Sequence, residues 1–168
     1  MAGSNFSMHQ IQKNKSVPPY TKEQAKLLIS SYRYWTGKDL IQPGDTDQQS
    51  FQALYEAPFA LASHDTAQDP IFNYGNLSAQ RLFEMDWNTL VSHPSKHSAE
   101  PVNREERSRL LARVTEHGYI DDYKGIRISS TGKRFRIEEA FIWNILDAKG
   151  IYRGQAAALY KWSELIPD

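Results

Sequence analysis

The sequence predicts an α+β domain in which a five-stranded antiparallel sheet carries helices on one face. Two observations lead to this fold class. Between Asp69 and Trp87 the apolar pattern changes from the period of a strand to that of a helix. In the last third of the chain, apolar residues alternate with polar ones over three stretches separated by short turns, as in antiparallel strands. The 168 residues suffice for one such domain and a tail.

The chain divides into three predicted parts. Residues 1–19 are polar and aperiodic, which predicts a disordered N-terminal tail. Residues 20–50 hold a helix and then a loop, which we expect to be flexible from Gln42 to Ser50. Residues 51–168 form the folded domain. The first helix is indicated by large apolar residues at helical spacing that end at a glycine: Leu28, Tyr32, Trp35 and Gly37.

The folded part begins with two short strands and continues with helices. Phe59–His64 and Ile71–Tyr74 are the predicted strands. Helices are predicted after the Gly75-Asn76 turn, at Asn88–Val91, and from Asn103 to the glycine at 118. In the last of these, a buried stripe faces a solvated side of four arginines: Arg104, Arg107, Arg109 and Arg113.

Three antiparallel strands complete the predicted sheet. Ile126 and Ile128 lie on the first, and the last runs from Tyr152 to Tyr160. On the long middle strand, large apolar residues share one parity that is interrupted at Glu139: Phe135, Ile137, Phe141, Trp143 and Ile145. Its opposite parity also becomes apolar, so both sheet faces need covering. We expect the N-terminal helix to cover the second face; a second copy of the chain, in a homodimer, is the alternative.

Composition excludes several functional classes. The chain has no cysteine, so it has no disulfide framework, thiolate nucleophile or cysteine-ligated zinc. Twenty basic residues balance twenty acidic ones, whereas nucleic-acid-binding domains normally show a basic surplus. No apolar run is long enough to cross a membrane, and no secretory signal opens the chain. We therefore expect a cytoplasmic protein that binds neither nucleic acid nor membrane.

The element order and local sequence resemble a known family. Two strands, several helices and three strands are the order of a PAS domain, and Ile71–Asn76 with the following helix resembles the second strand and first helix of that fold. Between Lys26 and Tyr160 the chain is similar to the MEKHLA family, although the family's namesake hexapeptide is absent. The similarity is carried by these blocks: Ser63-His64, Asp69-Pro70, Asn73–Asn76, Pro94-Ser95, Glu106-Arg107, Leu110-Leu111, Gly118–Tyr123, Gly125–Ile128, Gly132, Arg134–Ile137 and Trp143-Asn144.

This resemblance implies a PAS-like MEKHLA domain over residues 51–168, of the type that stands alone in bacteria and algae. MEKHLA domains also end certain plant homeodomain-leucine zipper proteins, where a regulatory or interaction role is supposed. The 168 residues contain neither a homeodomain nor a heptad zipper, so DNA binding by that route does not carry over. The family implies no particular reaction or ligand.

Candidate catalytic and metal residues fail on geometry. Ser63, His64 and Asp65 are the residue types of a hydrolase triad, but neighbours on a strand point to opposite faces. We therefore assign no catalytic residue. His93 and His97 are four residues apart, which suits metal or haem ligation on a helix, yet Pro94 interrupts any helix there. Surface histidines are the simpler interpretation.

Three arginines are predicted to share one face of a hairpin: Arg127, Arg134 and Arg136. In the register that pairs Ile128 with Phe135, Arg127 lies opposite Arg136, with Glu138 in diagonal reach. A solvated face explains these charges. An anionic ligand or an acidic partner is the alternative.

The predicted ligand site lies where polar and aromatic residues meet the interior of the sheet: Asn73, Tyr74, Asn76, Trp87, Trp143 and Gln155. Asn73 and Asn76 have a structural alternative as turn and helix caps. In flavin-binding PAS domains a glutamine on the last strand contacts the flavin, and Gln155 has a similar place. Flavin adduct chemistry is excluded because the chain has no cysteine, whereas flavin binding without an adduct stays open.

Three functions remain open from the sequence. The first is a sensory or regulatory module that binds a small ligand, mediates protein association, or does both. The second is an enzyme that uses the same cavity. The third is a ligand-free homodimer that associates through its sheet.

Overall fold

Six strands form one antiparallel sheet in the computed structural model, which describes residues 21–166. In chain order they are β1 Ala60–His64, β2 Phe72–Gly75, β3 Tyr119–Ile120, β4 Gly125–Ile128, β5 Arg134–Leu146 and β6 Tyr152–Glu164. Their spatial order is β2-β1-β6-β5-β3, and β4 also pairs with β5. Because β3 and β4 occupy one side of β5 in turn, the sheet is five positions wide. The predicted α+β fold class is confirmed, and the short strand β3 is added to the five predicted strands.

The helices lie on both faces of this sheet. They are α1 Lys22–Thr36, α2 Asp47–Tyr55, α3 Leu77–Phe83, α4 Trp87–Leu90 and α5 Pro101–His117, with a 3₁₀ turn at Ser95–Ser98. None of the helices described within residues 21–166 is long and apolar enough to cross a membrane. The tail predicted over residues 1–19 lies outside the described residues.

The predicted loop from Gln42 to Ser50 is wrong at its end, because α2 already begins at Asp47. The cause is a capping box. The Thr46 hydroxyl accepts a hydrogen bond from the Gln49 backbone N–H at 3.2 Å, and the Gln49 carboxamide oxygen accepts one from the Thr46 N–H at 3.3 Å. The predicted boundary between residues 50 and 51 therefore falls inside a helix.

Helix α1 covers one face of the sheet. The indole Nε1 of Trp143 on β5 donates to the Ser31 hydroxyl at 2.9 Å, and Trp35 Nε1 donates to the Asn144 carbonyl at 2.9 Å. The Tyr32 ring packs edge-on at 5.2 Å from Phe141 and 5.3 Å from Trp143, between ring centroids. The N-terminal helix thus buries the face that the sequence left open. A second copy of the chain is not needed to bury it.

Strand β5 changes the face on which its apolar residues lie. Its pairing with β6 is irregular on both sides of Glu139, as in a β-bulge, and a bulge inserts one extra residue that shifts the side-chain alternation. Phe135 and Ile137 therefore lie on one face together with Ala140 and Ile142, whereas the α1 face takes Phe141, Trp143 and Ile145. The single parity predicted for this strand is wrong for that reason.

A buried cavity between the sheet and helix α5

A cavity of about 90 Å³ lies on the sheet face opposite α1. It is bounded by β1, β5 and β6 on the sheet side, and by α5 and the 3₁₀ turn on the other. The wall is mainly apolar, with contributions from Phe72, Phe83, Leu110, Ile137, Ile142, Ala157 and Leu159. Polar and charged side chains meet inside this wall: His64, Ser95, Arg107, Arg127 and Gln155. Apolar walls around a few convergent polar groups are typical of small-molecule sites.

His64 is at the centre of a buried polar chain. Its Nδ1 lies 2.9 Å from the Ser95 hydroxyl, and that hydroxyl accepts a hydrogen bond of 2.6 Å from Arg107 Nη2. On the other side the imidazole forms a hydrogen bond with the side chain of Gln155. Gln155 on β6 is paired directly with His64 on β1. Ser63, the neighbour of His64, points to the opposite face and donates to Asn73 Oδ1 at 2.6 Å. The predicted separation of Ser63 and His64 is thus confirmed.

Gln155 is held by several groups of the protein. Its Nε2 lies 3.1 Å from the Leu111 carbonyl, 3.0 Å from the Thr115 hydroxyl and 3.1 Å from Asn144 Oδ1. An amide nitrogen has two N–H groups, so these three acceptors use its donor capacity, and the amide oxygen accepts the hydrogen bond from the His64 ring. Gln155 therefore orients His64 more directly than it could orient a ligand.

Arg107 lies on the buried side of α5, where the sequence analysis placed it in solvent. Only 8% of its surface is exposed. Positions 107, 110 and 114 are separated by three and four residues, so Arg107 shares a helix face with Leu110 and Val114. The prediction followed charge and overlooked this spacing. The snorkelling stem of an arginine packs well on such a face, and its head reaches the cavity.

Arg127 is also buried, at 6% exposure, because the hairpin register differs by one residue from the predicted one. Arg127 pairs with Phe135, whereas Ile126 pairs with Arg136 and Ile128 with Arg134. A shift of one residue reverses the face of every side chain. The predicted three-arginine face is therefore wrong: Arg127 lines the cavity and shares its face of the hairpin with Phe135, whereas Arg134 and Arg136 are exposed.

Comparison with known proteins shows the family of the chain. The MEKHLA domain model matches residues 22–164. The chain belongs to the MEKHLA domain family. The resemblance proposed from the sequence is thereby confirmed, and the family match includes α1, which lies before the predicted domain boundary.

Relatives of this MEKHLA domain are parts of much longer proteins. The rice homeobox-leucine zipper protein HOX29 (Oryza sativa subsp. indica) is 25% identical over 138 residues, which are 79% of this chain and 16% of HOX29. HOX9 from the same plant is 20% identical over 146 residues, or 86% of this chain and 17% of HOX9. The chain thus spans about one sixth of the length of these relatives.

Solved structures similar to the MEKHLA domain share the PAS fold. A PAS domain from Colwellia psychrerythraea superposes with a TM-score of 0.58 at 15% identity, over 70% of this chain and 94% of that domain. An RNA-binding light-oxygen-voltage receptor gives a TM-score of 0.57 at 15% identity, over 71% of this chain and 35% of the receptor. At such low identity the likeness establishes the fold alone.

Five of the six predicted ligand residues lie outside the cavity of the MEKHLA domain, and only Gln155 lines it. Tyr74, Trp87 and Trp143 pack in the core beneath α1 and α2. Asn73 accepts from Ser63 and from Gln24 Nε2 at 3.4 Å. Asn76 caps α3. The sequence predicted a ligand at the start of α3, whereas the cavity of the structure lies between the sheet and α5.

The prosthetic groups considered from the sequence do not match this cavity. Pockets for drug-sized ligands measure about 300–1,000 Å³, so a cavity of about 90 Å³ takes neither a flavin nor a haem. Gln155, the residue expected beside a flavin, has its amide engaged by protein groups. His93 and His97 lie with ring centroids 5.4 Å apart. Within residues 21–166 they do not belong to any group of three metal-ligating side chains.

His64 makes the stability of the domain depend on pH. Burial, and next the charge of Arg107, lowers its pKa from 6.5 to about 4, against weaker opposing effects of Gln155 and Asp65. Between pH 4 and 6.5 the unfolded chain therefore binds the His64 proton more readily than the folded domain does. The contribution of neutral His64 to the free energy of unfolding is fully present above pH 6.5 and is lost as the pH falls toward 4. This linkage is expected to cost about 3 kcal/mol of unfolding free energy at pH 4.

Urea unfolding of the wild type and of His64→Gln between pH 7 and 4 measures this effect. We expect the wild type to lose about 3 kcal/mol more than the variant over this range. His93→Gln is the control, because burial also lowers the pKa of His93 but that ring is only half-buried. If the wild type and His64→Gln lose the same free energy, His64 is not the source of the pH dependence.

Proposed function

We propose that this MEKHLA domain is a regulatory module that binds a small ligand in the cavity between the sheet and α5. The main supporting observation is a buried series of hydrogen-bonded side chains, Gln155–His64–Ser95–Arg107, inside an apolar wall. Burying a polar side chain costs free energy unless it is hydrogen-bonded. Five polar or charged side chains surround the open volume of about 90 Å³, so the cavity offers a small ligand both space and hydrogen-bonding partners.

The relatives support the regulatory part of this proposal. In HOX29 and HOX9, which are named homeobox-leucine zipper proteins, the matched region is a small share of a long chain. A domain of this kind is thus one module among several in those proteins. In the present chain, a bound ligand would act by changing how the module associates with a partner.

The two alternative functions have weaker support. An enzyme could use the contact between Ser95 and His64, but in a hydrolase the histidine is oriented by a carboxylate, and here its other partner is the neutral amide of Gln155. A ligand-free homodimer was suggested by an uncovered sheet face. That face is covered by α1.

The variant Ala157→Leu tests the cavity directly. Ala157 lies on β6 opposite Ile142 and faces the cavity, so a larger side chain occupies the open volume. We expect Ala157→Leu to retain a melting temperature at or above that of the wild type, since it fills a cavity, and to weaken ligand binding at least about tenfold. Binding is measured by ligand-observed NMR with a library of small organic acids, amides and alcohols, and by native mass spectrometry of the purified protein.

Ala53→Leu is the matched control, because Ala53 is an exposed position of α2 far from the cavity lining. It is expected to bind library compounds like the wild type. The proposed function is wrong if no compound binds the wild type, or if Ala157→Leu binds them as tightly as Ala53→Leu does.

A further inference from the structure

The cavity contains two guanidinium groups, from helix α5 and strand β4. Arg107 and Arg127 both line it, and both are more than nine-tenths buried. They lie close enough that the charge of Arg127 contributes to lowering the pKa of Arg107. Burial is the larger cause of that shift, which leaves the pKa of Arg107 at about 10. Arg107 thus keeps its positive charge at neutral pH.

Protein carboxylates neutralise these charges only in part. Within the described part of the chain, Arg127 has one acidic contact, at 3.6 Å between its Nη1 and Glu106 Oε2, and the Glu106 side chain is 41% exposed. Among residues 21–166, Arg107 has no carboxylate within 4 Å; its hydrogen bond goes to the Ser95 hydroxyl. Asp69 acts on Arg107 from a longer distance and pairs with Lys96 at 3.2 Å. Buried charges are normally paired, because the desolvation of an unpaired charge costs roughly several kcal/mol of free energy.

The remaining groups of the site do not supply the missing negative charge. His64 and Gln155 are neutral at pH 7, the first because burial lowers its pKa to about 4. Tyr123 stacks on Arg127, with 5.2 Å from the guanidinium carbon to the ring centroid, and its hydroxyl keeps its proton because burial raises its pKa. The cavity is therefore a cationic site with apolar walls.

We propose that the ligand of this cavity is a small monocarboxylic acid, whose carboxylate binds between Arg107 and Arg127. This inference rests on the proposed function and names its ligand class. The planar guanidinium forks match a carboxylate in bidentate geometry. The apolar end of the acid contacts Phe83, Leu110 and Ile142. One negative charge, added to that of Glu106, balances the two arginines. The volume of about 90 Å³ selects a short aliphatic acid, because a benzene ring already needs a cavity of about 150 Å³.

Paired probes of equal shape and different charge test this assignment. Butyrate is compared with butyramide, and propionate with propionamide, by ligand-observed NMR and calorimetry at pH 7. We expect each acid to bind at least about tenfold more tightly than its amide, since a hydrogen bond to a charged group is worth more than one to a neutral group. Inorganic phosphate is a third probe, and is expected to bind more weakly than either acid because it offers no apolar end to the walls.

Variants of one helix separate the role of Arg107 from general charge. Arg107→Gln is expected to remove the preference for acid over amide, and Arg107→Lys, which keeps the charge but not the fork, to reduce acid binding about tenfold. Arg109→Gln is the matched control, since Arg109 lies on the exposed side of α5, paired with Glu105. It should retain the wild-type preference. Folding of each variant is checked by circular dichroism, and Arg107→Lys provides the measurement if Arg107→Gln does not fold.

The outcomes distinguish this inference from the proposed function. If amides bind as tightly as acids, or if both Arg107 variants keep the preference for acids, the carboxylate assignment is wrong while a ligand-binding cavity stands. Tighter binding of inorganic phosphate than of either acid also overturns the assignment. If neither acids nor amides bind, and Ala157→Leu has no effect on any library compound, the proposed function itself fails.

Discussion

Replacing Asn76 by alanine is expected to lower the free energy of unfolding by about 3–5 kcal/mol. The side chain is fully buried and makes four hydrogen bonds. Its Oδ1 accepts from the backbone N–H groups of Leu61 and Ala79, and its Nδ2 donates to the carbonyls of Leu54 and Phe59. Truncation leaves four backbone groups without this partner in the interior, and each costs about 1–3 kcal/mol if it stays dry and unpaired. Urea unfolding followed by tryptophan fluorescence measures the loss.

Two further substitutions show whether this loss comes from the buried network or from the helix cap alone. Asp86→Ala removes a cap of the same kind from α4, where Asp86 accepts from the Thr89 N–H at 2.9 Å, and is expected to cost about 1 kcal/mol. Asn73→Ala, at a half-buried position, should cost no more than that. An Asn76→Ala loss equal to that of Asp86→Ala would reduce Asn76 to a simple cap. A normal stability with lost ligand binding would restore its predicted ligand role.

The sequence predicts the fold well because its elements are encoded locally. The change of period near Gly75-Asn76, the glycine at 37 and the alternation on the last strands each depend on a few neighbouring residues. The bulge at Glu139 does not. It appears only in the pairing of β5 with β6, and it moves Phe141 and Trp143 to the face opposite Phe135. Long-range pairing therefore decides which apolar residues line the cavity.

The candidate site was harder to predict because its charged members contradict the usual rule that arginine is exposed. Helical spacing from Leu110 places Arg107 on the buried face, yet its charge suggested solvent. The predicted register of the β4–β5 hairpin was wrong by one residue, and Arg127 was therefore expected on the exposed face. The signal was nevertheless present in the sequence. The blocks by which the chain resembles MEKHLA domains include four of the five polar and charged residues that meet in the cavity: His64, Ser95, Arg107 and Arg127.

The polar chain of the cavity depends on close contact between β1 and β6. Gln155 lies directly opposite His64, so the position of one imidazole is set by the approach of two backbones. Gly154, the residue before Gln155, has φ +121° and lies so close to β1 that a Cβ built on it would be 2.0 Å from the His64 carbonyl oxygen. Glycine is therefore required by conformation and by space at the same position.

Gly154→Ala is accordingly expected to lower the free energy of unfolding by about 4 kcal/mol or more. The unfavourable φ costs about 1–3 kcal/mol, and the contact of the new Cβ with the His64 carbonyl oxygen forces β1 and β6 apart at further cost. Gly150→Ala is the matched control: its φ is +77° but no atom lies within 4 Å of the added Cβ, so it reports the conformational cost alone, about 1–2 kcal/mol. Urea unfolding of both variants gives the difference. Equal losses would mean that β1 and β6 can separate freely at Gly154, and the position of His64 would then have to be fixed by Ser95 and Arg107 alone.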